Sequence, residues 1–260
     1  MNLIRRSMNN SSNSRREALR AQKEAEAKRK RINRILIVAF AVAAVVIAGF
    51  VAFFIIQEAT KPTPAVDNKG NFTPPNASDG HGVKVAADKA KNDAPEVVIW
   101  EDFQCGHCKT TEDAYGKLFD GLAEKGKISL EYRFVPMLDR PGTDRSLKTA
   151  SAAVLADKYG KFSEYRDEVF ANYGDYTDEL LRDAIPEKIG LTEEQRTEFA
   201  KLYDAGAAEK FAKDAMDQFM SDGISGTPTI LVDGKQVESL WTEQGPAAQD
   251  EEGLLKLLKP

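Results

Sequence analysis

The chain of 260 residues is poor in the side chains that carry most metal, redox and proton chemistry, with two cysteines, two histidines and two tryptophans. A structural zinc site needs four Cys/His ligands, and only Cys105, Cys108, His107 and His81 are on offer. His107 lies between the two cysteines, too cramped to share an ion with both. A structural staple between the cysteines is excluded on similar grounds, because the stabilisation attributed to a cross-link grows with the loop it closes, and this loop is minimal. No cysteine lies near the N-terminus, so lipid attachment there is excluded as well. What remains for "CGHC", residues 105–108, is thiol redox chemistry.

A second scarcity is local. Residues 35–56, "ILIVAFAVAAVVIAGFVAFFII", carry no charge over 22 positions. As a helix this run is about 33 Å long at 1.5 Å per residue, against a hydrocarbon core of roughly 30 Å, so it is long enough to span. A cleaved signal peptide would have an apolar region of about 7–15 residues followed by a small-residue cleavage site, and neither feature is present. The preceding 34 residues hold eleven Lys/Arg against three acids, with "KRKRINR" touching the apolar run. The positive-inside rule then places residues 1–34 in the cytoplasm and everything after Gln57 outside it. Ser14 and Glu17 have the spacing of a capping box, so the basic segment reads as a solvated helix leading into the membrane. The rest of the chain carries 25 Lys/Arg and 38 Asp/Glu, a net of −13, which argues against nucleic acid or anionic lipid as its partner.

Residues 57–82 are rich in Pro, Asn, Gly and Ser and lack hydrophobic periodicity, the pattern of a semi-extended tether. His81, among glycines at its end, reads as a loop histidine of no special role. The remaining 83–260 suffice for one domain with a real core. "EVVIWEDF", directly before the cysteine pair, is a buried-strand pattern. After the pair, Tyr115, Leu118, Phe119 and Leu122 recur at helical spacing to about Lys125. "KISLEYRF" then alternates Ile128, Leu130, Tyr132 and Phe134 on one face. Strand, helix, strand puts Cys105 at a helix N-terminus.

From about 140 to 222 the patterns are helical. The apolar stripes are Leu147, Ala150 and Val154, then Phe162, Tyr165 and Val169, then Leu180, Leu181 and Ile185. Phe199, Leu202 and Tyr203 follow, and Phe211, Ala215 and Phe219 close the run. Thr192 and Gln195 fit a capping box, and Gly or Pro near 160, 174, 186, 190 and 206 divides the run into several helices. "TPTILVDGKQV" then gives a strand over Thr229–Val232, an Asp233-Gly234 hairpin turn and a strand over Lys235–Val237. "EEGLLKLLK" closes the chain as an amphipathic helix. The order is that of an α/β layer with a helical insertion.

With these motifs in place, the chain resembles the DsbA-like branch of the thioredoxin superfamily, the membrane-anchored extracytoplasmic thiol–disulfide oxidoreductases of bacteria. The resemblance covers roughly Val83 to Leu258. It rests on "IWEDFQCGHCK", on "SGTPTILVDG" and on the helices between them. It implies a thioredoxin-like α/β fold with a helical insertion at about 140–222, preceded by one transmembrane helix. It also implies that Pro228 is cis and lies with Thr227 against the redox pair, leaving the Thr227 backbone free to pair with an extended substrate. Two features depart from the family pattern. Many members carry Pro followed by His or an aromatic residue between the cysteines, whereas Gly106-His107 is the pair of the protein disulfide isomerases. Six residues before Cys105, where relatives often bury an acid, stands Ile99. Glu101, Asp102 and Glu112 are the nearest proton acceptors, read as ordinary surface or capping residues.

Cys105, at a helix start, is expected to be the nucleophile, and Cys108, one turn on and more buried, the resolving thiol. A helix N-terminus favours an anion by about 0.3–1 kcal/mol, at most ~2, which is roughly one pKa unit. Thiolates in such motifs fall from about 8.5 to as little as ~3.5, so local groups must supply the rest. The amides of Gly106, His107 and Cys108 and a protonated His107 imidazole are the expected sources. The expected activity is disulfide formation in exported, reduced proteins through the Cys105–Cys108 disulfide, with no other cofactor and no metal. A membrane redox partner would regenerate that disulfide. The alternatives are an isomerase or reductase of the same fold, or a peptide-binding chaperone whose cysteines are incidental.

Overall fold

The computed structural model describes residues 46–47, 65–67, 70–79, 81–237 and 240–258. The chain divides into two compact units, Met1–Lys61 and Pro62–Pro260. In the first, Val46 and Ile47 are helical and exposed. The rest of the expected span 35–56, and the basic segment 1–34 with its Ser14/Glu17 box, lie outside the described residues. Among the described residues no helix is long and apolar enough to cross a membrane.

The second unit begins inside the stretch expected to be a tether, and here the structure corrects that reading. Strands β1 (Ala65–Val66) and β2 (Phe72–Thr73) pair antiparallel. The Phe72 ring is 1% exposed, and its N–H donates to the Ala207 carbonyl at 2.7 Å. Asn76 donates through its backbone N and its Nδ2 to the buried Asp157 carboxylate, both at 2.8 Å. Strands of two residues have no period to detect, and one aromatic ring and the Asn76–Asp157 bonds do the anchoring, so the composition of a linker conceals a packed segment.

Five strands form the central sheet: β3 (Val83–Val85), β4 (Glu96–Glu101), β5 (Ser129–Phe134), β6 (Thr229–Val232) and β7 (Lys235–Gln236). Their order is β3-β5-β4-β6-β7, with β4 parallel to β5 and the other pairs antiparallel. β4 lies in the middle and is buried on both faces, which its unbroken Val-Val-Ile-Trp run requires. Val97 and Ile99 face the large core with Leu130, Tyr132, Phe134 and Ile230. Val98 and Trp100 face a smaller one with Val135 and Phe219, where Phe219 meets the Trp100 ring edge-on at 5.5 Å.

The connection from β4 to β5 is α1 (Gly106–Thr111), a π-turn (Glu112–Gly116) and α2 (Lys117–Glu124), continuous along the chain. Tyr115, Phe119 and Leu122 are buried, as their spacing predicts, and Leu118 packs half-buried beside them. The insertion comprises α3 (Arg145–Ala156), α4 (Phe162–Ala171), a π-turn (Leu180–Ala184) leading into α5 (Ile185–Lys188), α6 (Glu193–Asp204) and α7 (Glu209–Ser221). The Thr192/Gln195 capping box forms with both of its hydrogen bonds. Gly160 takes the left-handed conformation that stops the turn after α3, at φ 64°. Pro186, expected to break the run, instead occupies the first turn of α5, where a missing N–H is tolerated. After the Asp233-Gly234 turn, a short pair not foreseen from the sequence, β8 (Trp241–Thr242) and β9 (Gly245–Pro246), precedes α8 (Glu251–Leu257). The Asp250 side chain caps α8, and its Leu254 is fully buried.

Phe72 separates the tether from the packed segment experimentally. Phe72→Ala should destabilise the folded unit by about 3–5 kcal/mol in denaturant unfolding, the usual cost of emptying a buried aromatic site. A tether residue would change it by less than about 0.5 kcal/mol.

Candidate active site

The six residues singled out in the sequence converge on one point. Cys105 is the N-cap of α1, in extended conformation, and Gly106, His107 and Cys108 form the first turn. The loop before β6 brings in Thr227 and Pro228 across 122 residues of sequence, with the Cys105 Sγ donating to the Thr227 carbonyl at 3.2 Å. The Thr227–Pro228 peptide is cis. Both cysteines are free thiols, Cys105 8% exposed and Cys108 not at all.

The two sulfurs ionise very differently. The Cys105 pKa is lowered from 9.0 to about 5, first by a hydrogen bond from the Cys108 thiol, then by the Thr227 side chain and the backbone N–H groups of Cys108 and His107. Burial opposes this and is outweighed. The Cys108 pKa is raised far above the ordinary range by burial, by its role as donor to Cys105 and by the charge of Glu101. The expected donors were the amides and the imidazole of the intervening pair. The structure instead gives the leading part to the Cys108 thiol, while His107 is exposed and contributes through its backbone.

The loop ahead of the nucleophile is held at successive polar groups by the helical insertion. Asp102, 1% exposed, accepts from its neighbour Gln104 N and from Leu138 N, both at 2.8 Å, and from Ser146 Oγ at 2.6 Å. The Gln104 amide donates to Ser146 Oγ and Asp139 Oδ1. Tyr176 Oη donates to the Phe103 carbonyl at 2.8 Å and Tyr173 Oη to the Gln104 carbonyl at 2.9 Å. Phe103 itself stacks on Phe134, with ring centroids 4.4 Å apart.

Glu101 and Glu112 also depart from the surface or capping role expected of them. Arg166 of α4, 1% exposed, binds Glu101 through Nε and Nη2 at 3.0–3.2 Å and Glu112 through Nη1 at 2.6 Å. Its guanidinium lies 3.9 Å from the centre of the Tyr132 ring. Burial raises the Glu101 pKa to about 7 against the pull of Arg166. One signal for Arg166 was present: it stands four residues after Phe162, on the apolar face of its own helix, where an unpaired charge would not be tolerated. Tyr173 and Tyr176 carried no signal of comparable strength. Among the described residues no three His, Cys, Asp or Glu side chains gather as metal ligands do.

Two consequences are measurable. Between about pH 5 and 9 the unfolded chain holds a proton on Cys105 that the reduced native state has lost. Stability therefore rises with pH across that window and is lost as pH falls through about 5. In urea unfolding, the reduced protein should gain on its Cys105→Ala variant from pH 5 to 9; a flat difference would contradict the assignment. Arg166→Met leaves Glu101 and Glu112 buried without their cation and should cost about 3–5 kcal/mol, more at alkaline pH than at acid pH.

The geometry now has counterparts. The family model for thioredoxin matches residues 90–257. No curated protein sequence matches the chain. Among solved structures it is similar to the MdbA thiol-disulfide oxidoreductase of Corynebacterium diphtheriae, at 21% identity and a TM-score of 0.57, covering 71% of this chain and 92% of that one. The MdbA of Corynebacterium matruchotii shares 26% identity at a TM-score of 0.54, over 63% and 86% of the two chains. DsbA of Mycobacterium tuberculosis shares 20% at 0.50, over 61% and 85%. The family model spans four of the five sheet strands, the cysteine pair and the insertion together, and the chain belongs to the thioredoxin family.

Proposed function

We propose that the chain is a protein thiol–disulfide oxidoreductase that forms disulfides in exported proteins, held outside the cytoplasm by a single-pass anchor over residues 35–56. The observation that carries this reading is the unequal placing of the pair: Cys105 caps α1 with its Sγ against the Thr227 carbonyl beside the cis peptide, while Cys108 is wholly buried, and the first pKa is lowered and the second raised. The anchor and its orientation are supported by the uncharged run and the basic cluster before it.

In the oxidised form a client thiolate attacks Sγ of Cys105, forming a client–Cys105 disulfide and expelling the Cys108 sulfur, which takes up a proton. A second client thiolate then attacks the client sulfur of that mixed disulfide. The client disulfide forms, the Cys105 thiolate leaves, and two electrons stay with the enzyme. Cys105 is a good leaving group because its charge is already held by the Cys108 thiol, the Thr227 side chain and two backbone N–H groups. A membrane partner of higher potential would accept the electrons and restore the disulfide. An open cleft of about 710 Å³ is lined by Asp222–Thr229 with Leu231, Gly234 and Gln236, and it reaches the nucleophile only through Thr227, whose carbonyl meets the Cys105 Sγ; we propose that an extended client enters along it.

Stabilising the thiolate stabilises the reduced enzyme and so makes the disulfide oxidising. A pKa of about 5 lies between the ~7 of thioredoxin and the ~3.5 of DsbA. The reduction potential, measured against glutathione, should therefore fall between the values of thioredoxin and DsbA, near about −180 mV; a value below about −250 mV would make the protein a reductase. In cells, Cys108→Ser should accumulate mixed disulfides between Cys105 and exported clients, and Cys105→Ser should abolish them.

A further inference from the structure

Six large apolar side chains are exposed among the described residues, and two of them, Leu138 and Tyr173, are fastened to the loop that presents Cys105. Leu138, 39% exposed, donates its backbone N–H to Asp102, and Tyr173, 41% exposed, donates its hydroxyl to the Gln104 carbonyl. Tyr173 also borders the turn that carries the nucleophile. A Cβ added at Gly106 would lie 3.5 Å from its hydroxyl oxygen. With no side chain at 106, the ring edge and the start of α1 are left open to an incoming molecule.

The ring is held in place. Its hydroxyl bond fixes one end, and the Tyr176 ring, buried and itself bonded to Phe103, meets it edge-on at 6.4 Å and 88°. A side chain already fixed in this way loses little freedom when something packs on it. Burying an apolar side chain against a half-exposed ring is favourable, whereas a glycine or charged residue gains nothing there.

We infer that Tyr173 selects clients, its ring receiving a large apolar side chain within a residue or two of the client cysteine that exchanges with Cys105. The inference rests on the disulfide-exchange reading and sharpens its substrate class. The occupant is a client polypeptide because this patch adjoins the reacting sulfur, and whatever covers it during turnover must bring its own cysteine there. The net −13 of the chain beyond residue 34 adds a bias against acidic neighbours in that client.

The test compares the full-length oxidised protein with Tyr173→Ala and Tyr173→Phe, using reduced peptides that differ only in Phe, Leu or Gly beside the cysteines. The wild type should show a kcat/KM about five- to tenfold higher for the Phe and Leu peptides than for the Gly peptide, through KM. Tyr173→Phe keeps the ring and should keep that ratio. Tyr173→Ala should bring it close to one, the Phe and Leu peptides losing more rate than the Gly peptide or glutathione. Equal rates for all peptides in the wild type would overturn the inference, and so would a loss in Tyr173→Ala that falls equally on peptides and glutathione, the mark of a loop-positioning role. If the wild type exchanges with neither peptide nor glutathione, the disulfide-exchange reading fails and takes this one with it. Exchange without discrimination sinks the client selection alone.

Discussion

The hydrogen bond from the Cys108 thiol to the Cys105 thiolate is the interaction on which the rest of the site depends. It arises because the two cysteines sit one turn apart at the start of α1, which puts the second thiol within influence of the first. Burial then divides their roles: Cys108, with no access to water, cannot take the negative charge, and Cys105, at the rim, can. Helix-terminal N–H groups assist, but a helix terminus alone is worth roughly one pKa unit, and the shift at Cys105, from 9.0 to about 5, is larger. The proton that Cys108 keeps is thus what makes Cys105 reactive.

That arrangement needs a rigid platform, and the helical insertion provides it. Residues from the β5–α3 connection, from α3 and from the turn after α4 hold the backbone or side chains of Asp102, Phe103 and Gln104. Arg166 joins the end of β4 to the π-turn behind α1, tying the strand before the cysteines to the helix after them. The insertion therefore shares in building the site, beyond its own packing. The smaller core on the opposite face of the sheet, around Trp100 and Phe219, supports β4 from behind.

Much of this was legible in the sequence where the physics is local. The unbroken apolar run of β4, the helical recurrence from Tyr115 to Leu122 and the alternation in β5 each follow from one element burying one or two faces. The Thr192/Gln195 box and the Asp233-Gly234 turn follow from short-range hydrogen bonding and backbone preference. The approach of Thr227 and Pro228 to Cys105 could only be inherited from resemblance, since nothing local records a contact across 122 positions. The tyrosine bonds to Phe103 and Gln104 are invisible for the same reason, at separations of 73 and 69. Glu101 and Asp102 were misjudged because burial of an acid depends on partners elsewhere in the chain, here Arg166 and Ser146. The tether was misjudged because its order comes from one ring and a pair of side-chain bonds.

The account is tested most directly by the ionisation of Cys105 in the reduced protein, followed by the pH dependence of its alkylation in the wild type and in Cys108→Ala. It predicts half-ionisation near pH 5 in the first and a clearly higher value in the second, since the largest single donor has been removed. A wild-type thiol that ionises only near pH 9, or a value near 5 that survives the loss of Cys108, would contradict it.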